Sequence, residues 1–166
     1  MSPLIDISIE TEDWAALDAI PQRVQAAIDA AAGESRVRLA ASAEISVVFC
    51  GDAFIRALNR QWRGCDEPTN VLSFPIGGDP ALTPLLGDIV IAFETAAREA
   101  REMGKPLRDH VAHLLVHGFL HLIGYDHGDA AEAEVMEGLE RASLARLGIA
   151  DPYGAAVLGE AVGAHE

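Results

Sequence analysis

Residues 106–127, PLRDHVAHLLVHGFLHLIGYDH, predict the central helix of the fold and contain five of the six histidines in the chain. Pro106 suits the first turn of a helix, and Gly124 can end one. At about 100° per residue, an arc of about 80° contains four imidazoles, those of His110, His113, His117 and His121. The remaining positions are mostly Leu, Val, Phe and Ile, so we expect a buried helix with a row of histidines along one side.

Four buried imidazoles need partners, and a metal ion can serve some of them. Residues one turn apart, about 6 Å, can share one ion, whereas residues two turns apart cannot. Gly124 lets the chain reverse, which places His127 beside His117 and His121. The resulting pattern, H-x-x-x-H-x-x-G-x-x-H, predicts a zinc site of three histidines with a position left for water.

Two neighbours of this site have alternative interpretations. His113, one turn before His117, is either a proton shuttle or hydrogen-bond donor behind the ligands, or a satisfied core histidine. Asp126, next to His127, either orients a ligand from behind or shapes the turn.

The same histidine spacing occurs in the metzincin proteases, HExxHxxGxxH, with one difference. The glutamate of those enzymes acts as a general base, and here Gly118 occupies its position. No carboxylate lies between His117 and His121. Proteolysis by the usual route is therefore disfavoured, and a zinc peptidase or amidase with a carboxylate from elsewhere stays an alternative hypothesis.

The rest of the sequence alternates between strand and helix patterns without internal repeats. Strands are predicted at 4–9, 44–50, 70–74 and 87–93, and helices at 14–32, 52–63, 94–103 and 130–147. We expect Gly33 to end the first helix and Asp52 to cap the second. The prediction is one α/β (α+β) domain over residues 1–153, with a small mixed four-stranded sheet covered by helices, and a mobile tail at 154–166.

The acidic composition limits what the protein can bind. The 166 residues include 12 Lys+Arg against 26 Asp+Glu, a net charge of −14 that opposes general affinity for nucleic acid or anionic membranes. One basic patch stands out, because Arg56, Arg60 and Arg63 fall at i, i+4 and i+7 on one helix face. This face is either an RNA-binding track or a solvated surface. Trp62 lies off the face and is expected in the core rather than as a platform for base stacking.

Targeting and redox features favour a cytoplasmic protein without a membrane partner. The first residues, MSPLIDISIE, lack a signal-peptide pattern, and no apolar run reaches the length of a membrane span. Cys50 and Cys65 form no CxxC motif, so we expect reduced thiols.

Four segments carry a resemblance to a known family: NRQWRGCDEPTNVLSFP (59–75), LGDIVIA (86–92), GKPLRDHVAHLLVHGFLHLIGYDH (104–127) and LGIADPY (147–153). In these segments the sequence resembles the YbeY family of bacterial ribosomal RNA maturation factors. The resemblance implies a metal-dependent, single-strand-specific endoribonuclease in which His117, His121 and His127 bind one zinc and Arg63 is the catalytic arginine. One departure is Asn70, where the family often has an aspartate, and this side chain brings no charge.

The resemblance also implies partners and a cellular role. The partners are single-stranded RNA, ribosomal RNA, and ribosomal particles or ribosome-associated proteins. The role is maturation of the 3′ end of small-subunit ribosomal RNA, together with ribosome quality control. Arg63 would offset charge on a phosphate, while Arg56 and Arg60 guide the strand.

A third hypothesis is a non-catalytic, zinc-stabilised ribosome assembly factor. Against it, a structural zinc needs a fourth Cys or His, and only His113 is a candidate.

Overall fold

A mixed sheet of four strands organises the protein in the computed structural model, which describes residues 2–153. In chain order the elements are β1 (Leu4–Ile9), a 3-10 helix (Glu12–Ala16), α1 (Ile20–Ser35), β2 (Glu44–Cys50), α2 (Asp52–Arg63), β3 (Val71–Pro75), β4 (Leu85–Ala92), α3 (Phe93–Glu102), α4 (Leu107–Leu122) and α5 (Ala130–Arg146). The strand order is β1-β2-β4-β3, with β1, β2 and β4 parallel and β3 antiparallel to β4. The predicted fold class is confirmed. The tail predicted at 154–166 lies outside the described residues.

Alternation along the strands gives the sheet two apolar faces. In β2, Ile45, Val47 and Phe49 are fully buried in the larger core cluster, together with residues of α1 and α4. Cys50 belongs to a smaller cluster, which includes Ile55 of α2. Because successive side chains of a strand point to opposite sides, this one strand contributes to both clusters.

The predicted histidine helix, α4, lies in the middle of the molecule. It contacts α1, α3 and α5 as well as β3 and β4. Gly118 permits a close approach to the sheet, since a Cβ at this position would lie 2.9 Å from Cγ2 of Ile89. The Ser73 hydroxyl donates to the carbonyl oxygen of Gly118 over 3.3 Å. The sheet thus fixes one side of α4, while His110 contacts α3 and both His113 and His117 contact α5.

The first helix differs from its predicted bounds. Trp14 lies in the 3-10 helix, and α1 begins later with Pro21 in its first turn, where a proline loses no helical hydrogen bond. Gly33, expected to end the helix, lies inside it, and the helix is capped by Arg36 with a φ of 57°. A Cβ at residue 33 would lie 2.5 Å from Nη1 of Arg146. The glycine therefore makes room for a side chain of α5 and is not a terminator.

The expected cap at the start of α2 is also wrong. Gly51 is the N-cap of α2, and the Asp52 carboxylate instead accepts hydrogen bonds from the backbone N–H and the hydroxyl of Thr95, over 3.1 and 2.8 Å. In return, the Glu94 carboxylate accepts from the backbone N–H of Asp52 over 2.8 Å. The first turns of α2 and α3 thus cap each other, a pairing that depends on their contact in space.

Trp62 is not in the core, contrary to the prediction. Its side chain is 64% exposed and packs edge-on against Phe74, with ring centroids 6.3 Å apart. Only Ile55 and Asn59 of α2 are buried, so the helix rests on the sheet along a narrow stripe. Trp62 therefore borders a groove of about 680 Å³, whose lining includes Asp88.

The described residues carry no disulfide and no membrane-spanning helix. Cys50 is buried, Cys65 is partly exposed, and both are free thiols. No helix within residues 2–153 is long and apolar enough to cross a bilayer.

Candidate metal centre

Three histidines converge at the end of α4. His117 and His121 lie one turn apart on the helix, and the chain then reverses at Gly124, whose φ of 108° suits glycine. The backbone N–H of Tyr125 donates to the carbonyl oxygen of Leu120 over 3.0 Å and closes the turn. His127 follows, and one ligand nitrogen from each of the three histidines lies within 4.8 Å of the others.

Hydrogen bonds to the second ring nitrogen select one tautomer at two of these histidines. Nδ1–H of His117 donates to Oε2 of Glu140 over 2.8 Å, and Nδ1–H of His121 donates to the carbonyl oxygen of Tyr125 over 2.9 Å. In each ring the proton on Nδ1 leaves the lone pair on Nε2. This is the arrangement that a metal-binding imidazole needs.

The unpartnered nitrogens show that a metal ion fits. Within residues 2–153, Nε2 is buried and has no hydrogen-bond partner in His117, His121 or His127. A buried polar atom without a partner carries a desolvation cost that a metal–ligand bond would remove. Burial lowers the pKa of His121 to about 4, so this ring is neutral near pH 7, as a ligand must be. Three imidazoles are a donor set that suits zinc and related ions.

His113 is hydrogen bonded to a carboxylate and does not converge on the cluster. Its Nε2–H donates to Oε1 of Glu140 over 2.6 Å, and Glu140 also accepts from His117. The side chain is fully buried, and burial lowers its pKa. His113 is thus a core histidine that shares a carboxylate partner with His117 through Nε2, while its Nδ1 is buried without a hydrogen-bond partner.

Asp126 shapes the turn. One of its carboxylate oxygens, Oδ1, accepts a hydrogen bond from the backbone N–H of His127 over 2.8 Å. This bond holds the chain as it returns toward α4 and does not involve a histidine ring.

Sequence reasoning missed Glu140. This residue of α5 is 1% exposed, and its carboxylate accepts hydrogen bonds from His113, His117 and the hydroxyl of Tyr153. Burial raises the pKa of Glu140, but the two histidine bonds outweigh that effect and keep it below the ordinary range. The sequence does contain a signal. The buried positions of α5 are Met136, Glu140, Ser143 and Leu144, so a glutamate occupies the apolar stripe of the helix.

A second buried polar cluster lies at the start of α4. Nε2–H of His110 donates to Oε1 of Glu99 over 2.8 Å, and the Asn70 side-chain amide donates to the same oxygen over 3.0 Å. An amide can donate to this carboxylate, whereas an ionised aspartate cannot. The presence of asparagine at position 70 is therefore compatible with the half-buried Glu99.

The three arginines lie on α2, and all are exposed. Arg56 forms a two-point ion pair with Asp66, with nitrogen–oxygen distances of 2.8 and 3.2 Å, so part of its charge is already balanced. Arg63 is the last residue of α2 and precedes Gly64, whose φ is 72°. The chain then leads to β3, where Ser73 contacts α4 at Gly118, next to His117.

The number and type of the candidate ligands disfavour both a structural zinc site and a zinc peptidase. Among residues 2–153, the cluster that could hold a metal has three members and includes neither a fourth ligand nor a carboxylate. A closed structural zinc site needs four ligands, and the peptidase route needs a carboxylate beside the metal. Glu140 does not meet the second need, because it is buried on the Nδ1 side of His117 and binds three donors.

Comparisons by sequence with known proteins agree on one family. Residues 6–148 match the family model described as endoribonuclease YbeY. The endoribonuclease YbeY of Methylocella silvestris is 63% identical over 153 residues, which cover 92% of this chain and 87% of the relative. That of Rhizobium meliloti is 51% identical over 160 residues, with 90% and 94% covered. The solution structure of a Thermotoga maritima protein shares the fold at 23% identity, with a TM-score of 0.55 and coverage of 87% of this chain and 91% of that chain.

Proposed function

The chain belongs to the endoribonuclease YbeY family, and on that premise we propose that it is a zinc-dependent endoribonuclease specific for single-stranded RNA. Its reaction is the hydrolysis of phosphodiester bonds in RNA. The observation that carries the zinc assignment is the set of three buried Nε2 atoms without partners, in His117, His121 and His127. These residues would hold one zinc ion per chain, with a coordination position open to substrate or water.

Zinc bound at this position would supply Lewis-acid chemistry to a phosphodiester. The chain's own residues prepare the site for it. Glu140 and the carbonyl oxygen of Tyr125 hold the protons of His117 and His121 on Nδ1, so both rings present Nε2. Gly124 and Asp126 hold the turn that returns His127 to the helix.

Arg63 is the proposed catalytic arginine. A guanidinium has a planar fork of donors that matches two phosphate oxygens, and it can offset charge that develops during cleavage. Arg60 and Arg56 would guide the strand on the same helix face, although Arg56 must first give up its ion pair with Asp66. A chain with a net charge of −14 depends on such a local patch to bind RNA.

We further propose that the substrate is ribosomal RNA, in the 3′-end maturation of the small-subunit RNA and in ribosome quality control. The partners would be ribosomal particles or ribosome-associated proteins in the cytoplasm. The family membership and the low general affinity for RNA expected of an acidic protein support this proposal, because a partner would bring the enzyme to its site.

Cleavage of an unstructured RNA by zinc-loaded protein tests the proposal. We expect Arg63→Ala to keep the fold and the zinc but to cleave slower by about 10²-fold or more, the cost of removing a group that stabilises transition-state charge. Arg98→Ala, which removes a positive charge from an exposed position of α3, is the matched control and should cleave at the wild-type rate. Arg56→Ala should weaken RNA binding modestly, and less at high salt.

A peptide substrate run in parallel separates the enzyme classes. Wild-type protein that cuts only the peptide would establish the rival peptidase. Protein that binds zinc and cuts neither substrate would favour the assembly factor. Full RNA cleavage by Arg63→Ala would refute the role of that arginine alone.

A further inference from the structure

We propose that Glu140 is a positioning residue for the metal centre, which fixes the ring of His117 and supplies a buried negative charge, and that Tyr153 holds this carboxylate in place. The inference deepens the proposed function and rests on zinc binding by His117. It concerns how tightly the protein holds the metal.

The first argument is geometric. Both oxygens of the Glu140 carboxylate are engaged: Oε1 accepts from Nε2–H of His113 and from the Tyr153 hydroxyl, and Oε2 accepts from Nδ1–H of His117. Because two donors hold Oε1, the carboxylate cannot rotate without breaking their bonds. Oε2 therefore stays directed at His117 and fixes both its ring orientation and its tautomer.

The second argument is electrostatic. Glu140 is 1% exposed, and its donors within residues 2–153 are two imidazoles and a phenol, with no lysine or arginine among them. A buried carboxylate without a cationic partner is costly, and a divalent ion bound to the far side of His117 would balance its charge. The attraction also acts on the ion, so the carboxylate should strengthen metal binding.

Tyr153 completes the arrangement from outside the helices. Its ring lies edge-on to His113 with centroids 5.5 Å apart, and the guanidinium carbon of Arg141 lies 5.3 Å from the centre of the phenol ring. These contacts hold the hydroxyl over Oε1. Tyr153 would therefore act on the metal through two other residues, Glu140 and His117.

The test compares the zinc dissociation constant of wild type with that of Glu140→Gln, by competition with a chromophoric chelator. Glutamine keeps the shape and removes the charge, and its amide can present a donor to Nδ1 of His117. We expect zinc binding to weaken by about 10- to 100-fold, the range for partners of metal-bound histidines. Glu134→Gln, at an exposed position of the same helix, should bind zinc as the wild type does.

Tyr153→Phe is the second variant, because it removes only one hydroxyl. We expect a smaller weakening of zinc binding in the same direction, by a few-fold. If Glu140→Gln does not fold, this variant decides the proposal: a wild-type dissociation constant in Tyr153→Phe then overturns it.

Melting temperatures measured with and without zinc separate positioning from a purely structural role. Weaker binding reduces the stabilisation that a fixed zinc concentration provides, so the rise in melting temperature on adding zinc should be smaller in Glu140→Gln. Equal lowering of both temperatures with an unchanged dissociation constant would overturn the proposal. RNA cleavage by the wild type is measured separately. Its absence would refute the proposed nuclease, while the zinc constants would still decide the role of Glu140.

Discussion

At the scale of single residues, the strongest indication of a bound metal is that Nε2 of His117, His121 and His127 is buried without a hydrogen-bond partner. His113 lies one turn before His117, and its Nε2 already has a carboxylate partner, so this nitrogen is not available to the metal. Helix α4 thus carries two kinds of histidine: Nε2 is hydrogen bonded in His113 and has no partner in His117 and His121.

Metal content in alanine variants tests this difference. We expect His117→Ala, His121→Ala and His127→Ala each to bind well below one zinc per chain, because two imidazoles hold zinc poorly. His113→Ala should retain most of the metal, because it removes no ligand and leaves the Tyr153 hydroxyl as a donor to Oε1 of Glu140. Elemental analysis of the purified variants provides the measurement. A loss in His113→Ala equal to that in the other three would show that the ligand set is wrong.

The sequence allowed the grouping of these three histidines because every step is local. The spacing of one helical turn brings His117 and His121 together, and a glycine next to the helix end brings back His127. Glu140 and Tyr153 were missed because they approach only when α5 packs on α4 and the chain after α5 returns to it. A charged residue in the buried stripe of α5 was the available signal.

At the scale of elements, the paired starts of α2 and α3 show how two helices can satisfy each other's free N–H groups. Each helix begins with unpaired backbone donors that favour a nearby carboxylate. Asp52 serves the start of α3, and Glu94 serves the start of α2. A prediction from sequence assigns Asp52 to its own helix, because the sequence does not show that the other helix start lies against it.

Removal of either carboxylate should therefore destabilise both helix starts. We expect Asp52→Ala and Glu94→Ala each to lower the free energy of unfolding by about 1 kcal/mol, the usual value of a helix cap. The double variant should lose less than the sum, because the two caps share one contact. Urea unfolding provides the measurement, with Glu134→Ala as an exposed control. Strict additivity would show that the two caps act independently.

At the scale of the whole molecule, the two faces of the sheet are covered unequally. The larger cluster includes residues of α1, α4 and α5, while the smaller one has Ile55 and Leu58 as its contribution from α2. The mixed four-stranded sheet could be predicted, because each strand is recognisable in the sequence as a short apolar segment. The sequence could not show how much of each face a neighbouring helix covers, and this is why the location predicted for Trp62 was wrong.

The two tryptophans report on this asymmetry. Trp14 is 1% exposed and donates its indole N–H to the carbonyl oxygen of Cys50, whereas Trp62 is 64% exposed. We expect acrylamide to quench one component of the fluorescence strongly and the other weakly. Trp62→Phe should remove the strongly quenched component, and Trp14 serves as the internal reference. Equal quenching of both tryptophans would contradict the open groove beside α2.

The position of Tyr153 along the chain has a consequence for protein synthesis. Translation proceeds from the N-terminus, so a nascent chain exposes His117, His121 and His127 before Glu140, and Glu140 before the tyrosine that holds it. The imidazoles can meet as soon as α4 and its turn have left the ribosome, but the carboxylate reaches its final hydrogen bonds only when residue 153 has emerged. Metal acquisition during translation would therefore pass through a loosely held stage, and full retention would come only after residue 153 has emerged.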